Sequence, residues 1–298
     1  ADLIKKHEHT RPKKEDDRTR HVEALNSNTG PVFLTYRARP EIDALVERMT
    51  AGLPTYDFVA PDGIQHVLWV VDEPADVDAL VAGFAAVPEL YVADGHHRSA
   101  AATRVRALRK DRNPDHTGEE PYNFFLSVIF PDDQMLIMDY NRVVKAPPGM
   151  DRVAFLEKLK ENFEISVTWG VKPGNPRTFG MYFAGQWYRL VAKQGTYPAD
   201  DPVQSLDAAI LQNNLLAPVL GIGDPRSDEN IDFVGGIRGL EELEKRVDSG
   251  EWAVAFALHP TAIEQLFAVA DAGTVMPPKS TWFEPKLRSG LIVRPLDD

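Results

Sequence analysis

Hydrophobic and polar positions along the first half of the chain follow two spacings in turn. Apolar runs of strand length alternate with segments in which apolar residues recur every three or four positions, as on one face of a helix. Alternating strands and helices predict an α/β layer arrangement, which we expect to be mixed α+β rather than purely parallel. The strand-like runs are 31–36, 66–71, 90–93 and 123–130, and the helix-like runs are 41–49 and 75–85.

The second half opens after a cluster of residues that interrupt helices and strands, APPG at 146–149, which follows a hairpin-like pair at 123–130 and 135–140. We therefore predict two α/β regions, 1–145 and 146–298. Both helices that end at glycine in the later region, 237–250 and 261–273, have the residue that is common just past a helix C-terminus. The other predicted elements are helices 151–163 and 203–216 and strands 164–169, 178–184, 186–192 and 252–258.

Composition and charge narrow the functional classes. The 298 residues are 43% hydrophobic and 26% charged, which is typical of a globular protein with a substantial core. The net charge of -12 disfavours a nucleic-acid partner, since a polyanion would be repelled. The absence of cysteine excludes disulfides and thiolate chemistry, and no run is apolar enough to cross a membrane, so the sequence predicts a cytoplasmic protein. The sequence gives no indication of the oligomeric state.

The stretch YVADGHHRSAAATRVRAL, 91–108, carries the most specific chemistry. An apolar strand, a turn at Asp94-Gly95 and an alanine-rich run predict strand, tight turn and helix, with Gly95 at positive φ. His96 and His97 then fall in the first helical turn, where free amides and the helix dipole attract anions. Arg98 could grip the same oxyanion. The alternative is structural: Asp94 caps the helix and the histidines pack or face solvent.

The predicted site places a carboxylate beside a phosphate, and two negative charges at this distance repel each other. Asp94 would repel a bound phosphate unless a proton or a metal ion lay between them. A divalent cation bridging Asp94 to phosphate resolves the conflict, so Asp94 is also the candidate metal ligand.

Polar residues elsewhere give weaker candidates. The segment 276–291, MPPKSTWFEPKLRSGL, places Lys279, Ser280 and Thr281 in a proline-rich loop that could hold phosphate or its Mg²⁺, or could simply cover the sheet. The loop 221–230 offers carboxylates and an arginine, with a solvated turn held by an internal Asp–Arg pair as the alternative. Asn141 and Arg142 follow an apolar strand, a position equally suited to binding and to a strand-end hydrogen bond. Secondary candidates are Asn141, Arg142, Asp224 and Arg226.

The start of the chain is strongly charged. Residues 10–18, TRPKKEDDR, form a charge run, and Glu8, His9 and Arg11 lie at or near its start. The pattern is typical of a solvated segment.

Four motifs together resemble a bacterial family. ADGHHRSAAA, IDFVGG at 231–236, GIGDPRSDENID at 221–232 and MPPKSTWFEPKLRSGL are similar to the domain of unknown function 1015 (DUF1015), over essentially the whole chain. Members are generally longer at the N-terminus, so we expect this chain to correspond to the middle and end of the family. The family is grouped with the ParB and sulfiredoxin-like superfamily, which implies a core of that type with an additional C-terminal α/β region.

In that superfamily a Gly-x-x-Arg turn at a helix start holds nucleotide phosphates, and the match here is Gly95 to Arg98. Relatives include ParB nucleotidases, sulfiredoxin and a free-serine kinase. The chain lacks the cysteine of sulfiredoxin, and it has His96 where the ParB pattern has glutamate, which puts metal ligation at that position in doubt. The property that this chain still shares with the superfamily pattern is phosphate binding, and Arg98 is the residue that matches that pattern most directly.

These observations predict phosphoryl transfer between a nucleotide, ADP or ATP, and a small hydroxyl-bearing metabolite, with Mg²⁺ as cofactor. The resemblance implies free serine as the acceptor. The alternatives are a phosphoserine phosphatase-like hydrolase and a non-catalytic sensor of a nucleotide or phosphorylated metabolite. Predicted catalytic residues are Asp94, His96 and His97, and predicted phosphate- or nucleotide-binding residues are Gly95, Arg98, Ser99, Lys279, Ser280 and Thr281.

Overall fold

A computed structural model describes residues 2–146, 150–170, 172–284 and 286–297. The strands of this part are β1 Ile4–Lys5, β2 Ser27–Asn28, β3 Val32–Tyr36, β4 Tyr56–Val59, β5 Gln65–Leu68, β6 Leu90–Asp94, β7 Ser127–Pro131, β8 Leu136–Met138, β9 Tyr140–Val144, β10 Phe163–Thr168, β11 Thr178–Phe183, β12 Gln186–Ala192, β13 Ile231–Gly235, β14 Val254–Leu258, β15 Trp282–Glu284 and β16 Arg294–Pro295. The α-helices are α1 Pro12–Leu25, α2 Pro40–Met49, α3 Pro74–Ala85, α4 His96–Arg112, α5 Arg152–Leu159, α6 Asp207–Leu211, α7 Gly239–Asp248 and α8 Ile263–Asp271.

A mixed four-stranded sheet positions the turn at residues 94 and 95. Its order is β1-β6-β3-β7, with β1 parallel to β6, β6 antiparallel to β3 and β3 parallel to β7. All five residues of β3 are buried, as their continuous apolar character predicts. Strand β6 ends at Asp94, so α4 starts directly at the end of a central strand.

A six-stranded antiparallel sheet, in the order β10-β12-β11-β14-β9-β13, forms the second layer. Phe179, Met181 and Phe256 on its central strands are fully buried in the largest hydrophobic cluster. Strand β9, at 140–144, belongs to this sheet although it precedes the predicted division between 145 and 146. That division stays a prediction, and 147–149 of its APPG cluster lie outside the described residues.

The mixed α/β class is confirmed, while the ParB/sulfiredoxin-like character of the core stays a prediction. Strands β3 and β6 and helices α2 and α3 match the runs predicted from the hydrophobic pattern. Helices α7 and α8 are followed by Gly250 and Gly273 at positive φ, as predicted.

Two expectations were wrong. The strands predicted as a hairpin do not pair with each other: β7 pairs with β3, and β8 pairs with β15 from the end of the chain. The helix predicted over 203–216 is α-helical only at 207–211 and widens into a π-helical turn at 212–216. The N-terminal charge run 10–18 is largely exposed, as predicted, and from Pro12 onward it forms the first part of the helix α1.

No helix in the described part of the chain combines the length and the apolar character needed to span a bilayer.

Candidate functional site

The Asp94-Gly95 turn builds one wall of a cleft. Gly95 has φ 93°, a left-handed conformation that favours glycine, and α4 begins at the next residue. The Asp94 carboxylate accepts a hydrogen bond from the Gly95 amide (2.7 Å), and no side chain caps the helix. The anion-site hypothesis needs first-turn amides without a side-chain acceptor, and this helix start has no side-chain cap.

The N-terminal segment builds a second wall. Strand β1 pairs with β6 through Ile4 and Leu90 and through Lys5 and Tyr91, so the following residues run alongside the end of β6. The His7 carbonyl accepts a hydrogen bond from the Met276 amide (2.8 Å), which also fixes the start of the MPPKST segment there. As a result Glu8, which the charge pattern placed in solvent, lies in the cleft.

The MPPKST segment builds the third wall. Lys279 has a left-handed backbone (φ 60°), and its ammonium lies 5.5 Å from the centre of the Tyr140 ring. Ser280 is buried, and its hydroxyl donates to the Pro277 carbonyl (2.7 Å), so this side chain stabilises the turn. Thr281 lines the cleft.

The three walls enclose a cleft of about 250 Å³. The sequence-predicted Asp94 turn and the Lys279–Thr281 loop thus face one space, although 184 positions separate residue 95 from residue 279. A further cation, Lys286, lies 3.4 Å from the Asp94 carboxylate and 4.8 Å from the centre of the Trp282 ring. Polar residues that line the cleft include Glu8, Asp94, His96, Lys279, Thr281 and Lys286.

Burial raises the pKa of the Glu8 carboxyl above its ordinary value. The nearby ammonium of Lys279 acts in the opposite direction, and the negative charge of Asp94 adds to the increase. A carboxylate whose pKa moves toward neutrality is suited to accept a proton during a reaction. Glu8 is therefore the functional candidate that the sequence did not reveal.

Two buried imidazoles form the floor. The rings of His7 and His96 pack edge to face at 4.6 Å, and His96 Nε2 and both His7 ring nitrogens have no hydrogen-bond partner among the described residues. Burial lowers the pKa of His96 to about 4, against the effect of Asp94, and lowers that of His7 well below its ordinary value. Both rings are neutral at pH 7, so His96 can donate or accept a hydrogen bond but is a weak base in this state.

Four residues of the predicted cradle, Gly95, His97, Arg98 and Ser99, are not among the residues that line this cleft. His97 lines a neighbouring groove, where its Nε2 accepts a hydrogen bond from the Arg11 amide (3.0 Å). The Arg98 guanidinium folds back over Gly95, so close that a Cβ atom at position 95 would lie 2.9 Å from it. Ser99 lines a different groove, beside Lys6 and Thr10. Their predicted roles stay predictions.

None of the four secondary candidates is among the residues that line this cleft. Arg226 pairs with Asp224 inside its own loop (2.7 Å), the arrangement given above as the structural alternative. Asn141 is buried, accepting from the Leu258 amide (2.9 Å) and donating to Asp139 (2.6 Å), so its hydrogen bonds are used within the fold. Arg142 is also buried and donates to the Lys279 carbonyl (3.2 Å).

The glycine pair of the IDFVGG motif has a packing role. A side chain at Gly235 would meet the Trp282 ring at 2.9 Å, and one at Gly236 would overlap the Asp139 carboxylate. Gly235 thus lets Trp282, which lines the cleft, pack closely against the end of β13, and Gly236 leaves room for Asp139.

No group of three or more histidine, aspartate or glutamate side chains in the described ranges is arranged to hold a metal ion. Glu8 and Asp94 nonetheless supply two carboxylates to one cleft. This donor set suits Mg²⁺, which commonly takes one or two protein carboxylates and completes its shell with water and substrate phosphates.

Fold and site define a mixed α/β protein with a cleft that combines two carboxylates, two lysines and an uncapped helix start. The chain belongs to the family described as "Protein of unknown function (DUF1015)", whose model matches residues 1–209. No curated protein gives a significant match.

Three solved structures illustrate the remaining similarity. A free serine kinase in complex with AMP is 15% identical, with 97% of this chain and 88% of that chain covered and a TM-score of 0.42. A conserved hypothetical protein from Pyrococcus furiosus is 15% identical, with 97% and 90% covered and a TM-score of 0.39. C-terminally truncated SbnI from Staphylococcus aureus is 13% identical, with 98% and 84% covered and a TM-score of 0.40. At these values the likeness does not establish a shared activity.

Proposed function

We propose that this protein transfers a phosphoryl group between a nucleotide and the hydroxyl group of a small metabolite. The observation that carries the proposal is the convergence of the Asp94 turn, the Lys279 loop and Glu8 on one cleft. Phosphoryl transfer depends mainly on positioning and charge neutralisation, and this cleft offers groups for both.

Cations and amides would hold the phosphates. Lys279 and Lys286 line the cleft, and the first-turn amides of α4 lack a side-chain cap. A phosphate here would also separate the Lys286 ammonium from the Asp94 carboxylate, so the lysine could exchange one anionic partner for another.

Glu8 would serve as the general base. The acceptor hydroxyl gives its proton to the Glu8 carboxylate while its oxygen attacks the terminal phosphorus of ADP or ATP. The new O–P bond forms as the bond from phosphorus to the bridging oxygen breaks, and the shortened nucleotide leaves with that electron pair. The cleft would position the two reactants in line.

Mg²⁺ fits the donor set of the cleft. The negative charge of Asp94 raises the pKa of Glu8, so the two carboxylates repel each other. A nearby cation would reduce this repulsion. Asp94 is the candidate ligand, because Glu8 is the candidate base. When bound, Mg²⁺ would neutralise phosphate charge.

The test is a transfer assay. The protein is incubated with ADP or ATP and L-serine, with and without Mg²⁺, and ³¹P NMR follows the phosphomonoester product. L-serine is the first acceptor to test, because the family resemblance implies it. We expect phosphoserine with at least one nucleotide. Nucleotide binding without turnover would favour a sensor, and phosphate release from phosphoserine without nucleotide would favour a hydrolase. A Glu8→Gln variant should lose transfer, whereas the matched control Glu47→Gln, at an exposed position of α2, should retain it.

A further inference from the structure

Arg142 is a charged side chain buried next to the MPPKST segment. Only 3% of it is exposed, and its hydrogen-bond acceptors in the described part of the chain are the backbone carbonyls of Tyr140 and Lys279, at 3.2 Å for Lys279. Its guanidinium also lies 5.5 Å from the centre of the Phe233 ring. The two carbonyls satisfy some of its N–H donors but do not neutralise its charge.

Stability does not explain a buried charge of this kind. Desolvating an ion is costly, and replacing even a buried ion pair by apolar residues is often neutral or stabilising. Burial lowers the pKa of Arg142 to about 10, which leaves it charged at neutral pH. Asp207 is a weak counter-charge, because burial raises the pKa of that carboxyl to about 7. Groups that break the rules of core packing are expected near functional sites, so the surroundings of Arg142 deserve a functional explanation.

The hydrogen bonds of Arg142 join two residues whose side chains meet in the cleft. Tyr140 and Lys279 both line the cleft, and the Lys279 ammonium lies 5.5 Å from the centre of the Tyr140 ring. Arg142 thus links the backbones of these two residues, while a cation–π contact links their side chains.

The backbone of Lys279 needs such support. Its φ of 60° is a left-handed conformation, which residues other than glycine rarely adopt and which persists only where surrounding contacts hold it. Neighbouring carbonyls are held from within the fold, since Ser280 donates to Pro277 (2.7 Å) and Thr261 donates to the Ser280 carbonyl (2.8 Å). Within the described ranges, Arg142 is the donor to the Lys279 carbonyl itself. Loss of this bond would free the Lys279 backbone to leave the left-handed region and its ammonium to leave the cleft.

We propose that Arg142 is a positioning residue for Lys279, which it directs into the cleft by holding the Lys279 and Tyr140 carbonyls with one guanidinium. A guanidinium suits this task because it presents several donors in a fixed planar geometry, whereas an ammonium is a compact charge on a flexible stem. Arg142 is not among the residues that line the cleft, so it acts through Lys279 rather than on a substrate. The assignment rests on the proposed function, in which Lys279 holds a phosphate.

The first experiment follows Lys279 without any ligand, so its outcome does not depend on the proposed function. The lysines are dimethylated with ¹³C-formaldehyde, which keeps their charge, and ¹H–¹³C NMR detects the methyl groups. The Lys279 signal is the one that disappears in Lys279→Arg, and the Tyr140 ring should shift it away from the signals of exposed lysines. Arg142→Met should move it to the position of exposed lysines, whereas the matched control Arg152→Met, which removes an arginine over the Phe183 ring, should not. An unshifted Lys279 signal in the wild type, or an unchanged one in folded Arg142→Met, would overturn the proposal.

The second experiment is a double-mutant cycle on nucleotide affinity, measured by titration calorimetry with ADP and ATP in the presence of Mg²⁺. Arg142→Met and Lys279→Ala should each weaken binding at least fivefold. Because Arg142 acts through Lys279, Arg142→Met should change the affinity less than twofold in the Lys279→Ala background. No loss in Arg142→Met, or an equal loss in both backgrounds, would refute the positioning role. If the wild type bound neither nucleotide, or Lys279→Ala bound as well as the wild type, the proposed function would fail, and the NMR result would decide the role of Arg142.

Arg142→Lys replaces Arg142→Met if that variant fails to fold. It keeps the buried charge but loses the planar fork, so it should change the Lys279 signal and weaken nucleotide binding in the same direction. If Arg142→Lys matched the wild type in both measurements, charge alone would account for the residue, and the positioning role would be wrong.

Discussion

Glu8→Gln is the sharpest test of the proposed chemistry. The substitution keeps the size of the side chain and its hydrogen-bonding reach, but it removes the group that would accept the hydroxyl proton. A positioned general base typically contributes about 10²- to 10⁴-fold to a rate, or about 3–5 kcal/mol of transition-state stabilisation. We expect kcat for phosphoryl transfer to fall by that factor.

Nucleotide affinity should change in the opposite sense or not at all. Glu8 shares the cleft with Asp94, and both carboxylates repel a phosphate. Removing one negative charge should leave nucleotide binding equal or tighter, so the loss appears in kcat rather than in Kd. Calorimetric titration with ADP or ATP, beside the ³¹P NMR transfer assay, separates the two quantities.

The pH dependence gives a second readout. Because the base acts in its deprotonated form, the rate should rise with pH through the pKa of Glu8, which burial places above its ordinary value. Asp94 contributes to that increase, so Asp94→Asn should move the acidic limb to lower pH. In Glu8→Gln the limb should vanish. A variant that keeps wild-type kcat and the same limb would show that another group accepts the proton.

Three further substitutions test other parts of the structure. Lys286→Ala should weaken nucleotide binding about tenfold or more in calorimetry, because it removes a charge-assisted phosphate contact. The control Lys158→Ala on α5 should leave nucleotide binding unchanged. Equal Kd values for Lys286→Ala and the wild type would show that Lys286 does not contact the nucleotide. Gly236→Ala should destabilise the fold by more than about 2 kcal/mol in urea denaturation, because its methyl group overlaps the buried Asp139 carboxylate. Asp207 has a raised folded pKa of about 7 against 3.8 unfolded, so its stabilising contribution is complete below about pH 3.8 and is lost as pH rises through 7, about 4 kcal/mol in all. Asp207→Asn should remove this pH-dependent loss, so between about pH 5 and pH 8.5 its free energy of unfolding should rise relative to that of the wild type by up to about 3 kcal/mol. Parallel curves of unfolding free energy against pH for the two proteins would contradict this prediction.

The part of the site that is local in sequence could be predicted. An apolar strand, Asp94-Gly95 and an alanine-rich run specify a strand, a turn at positive φ and a helix start, and each of these is present. Where the Arg98 side chain goes could not be predicted in the same way. Its guanidinium packs over Gly95, near Gly30, and that choice depends on neighbours brought from elsewhere in the chain.

Glu8 shows why the remainder of the site could not be predicted from the sequence. A glutamate beside a run of charges has no periodic or turn signal that distinguishes it from a solvated residue. Its place in the cleft follows from the pairing of β1 with β6, which joins Ile4 to Leu90 across 86 positions, and from the bond between Met276 and His7. Non-local contacts of this kind leave no mark on hydrophobic spacing.

The segment that carries Glu8 is held by few interactions. Strand β1 has two residues, and its main supports are the pairing with β6, the His7–Met276 hydrogen bond and the ion pair of Lys5 with Asp271 (2.7 Å). Short, sparsely bonded segments open at lower free-energy cost than the core. A ligand that contacts Glu8, Lys279 and the start of α4 together would bind only when this segment is docked, so ligand binding should stabilise the docked state. Because this segment is weakly anchored, formation of the cleft is coupled to its occupancy by a ligand.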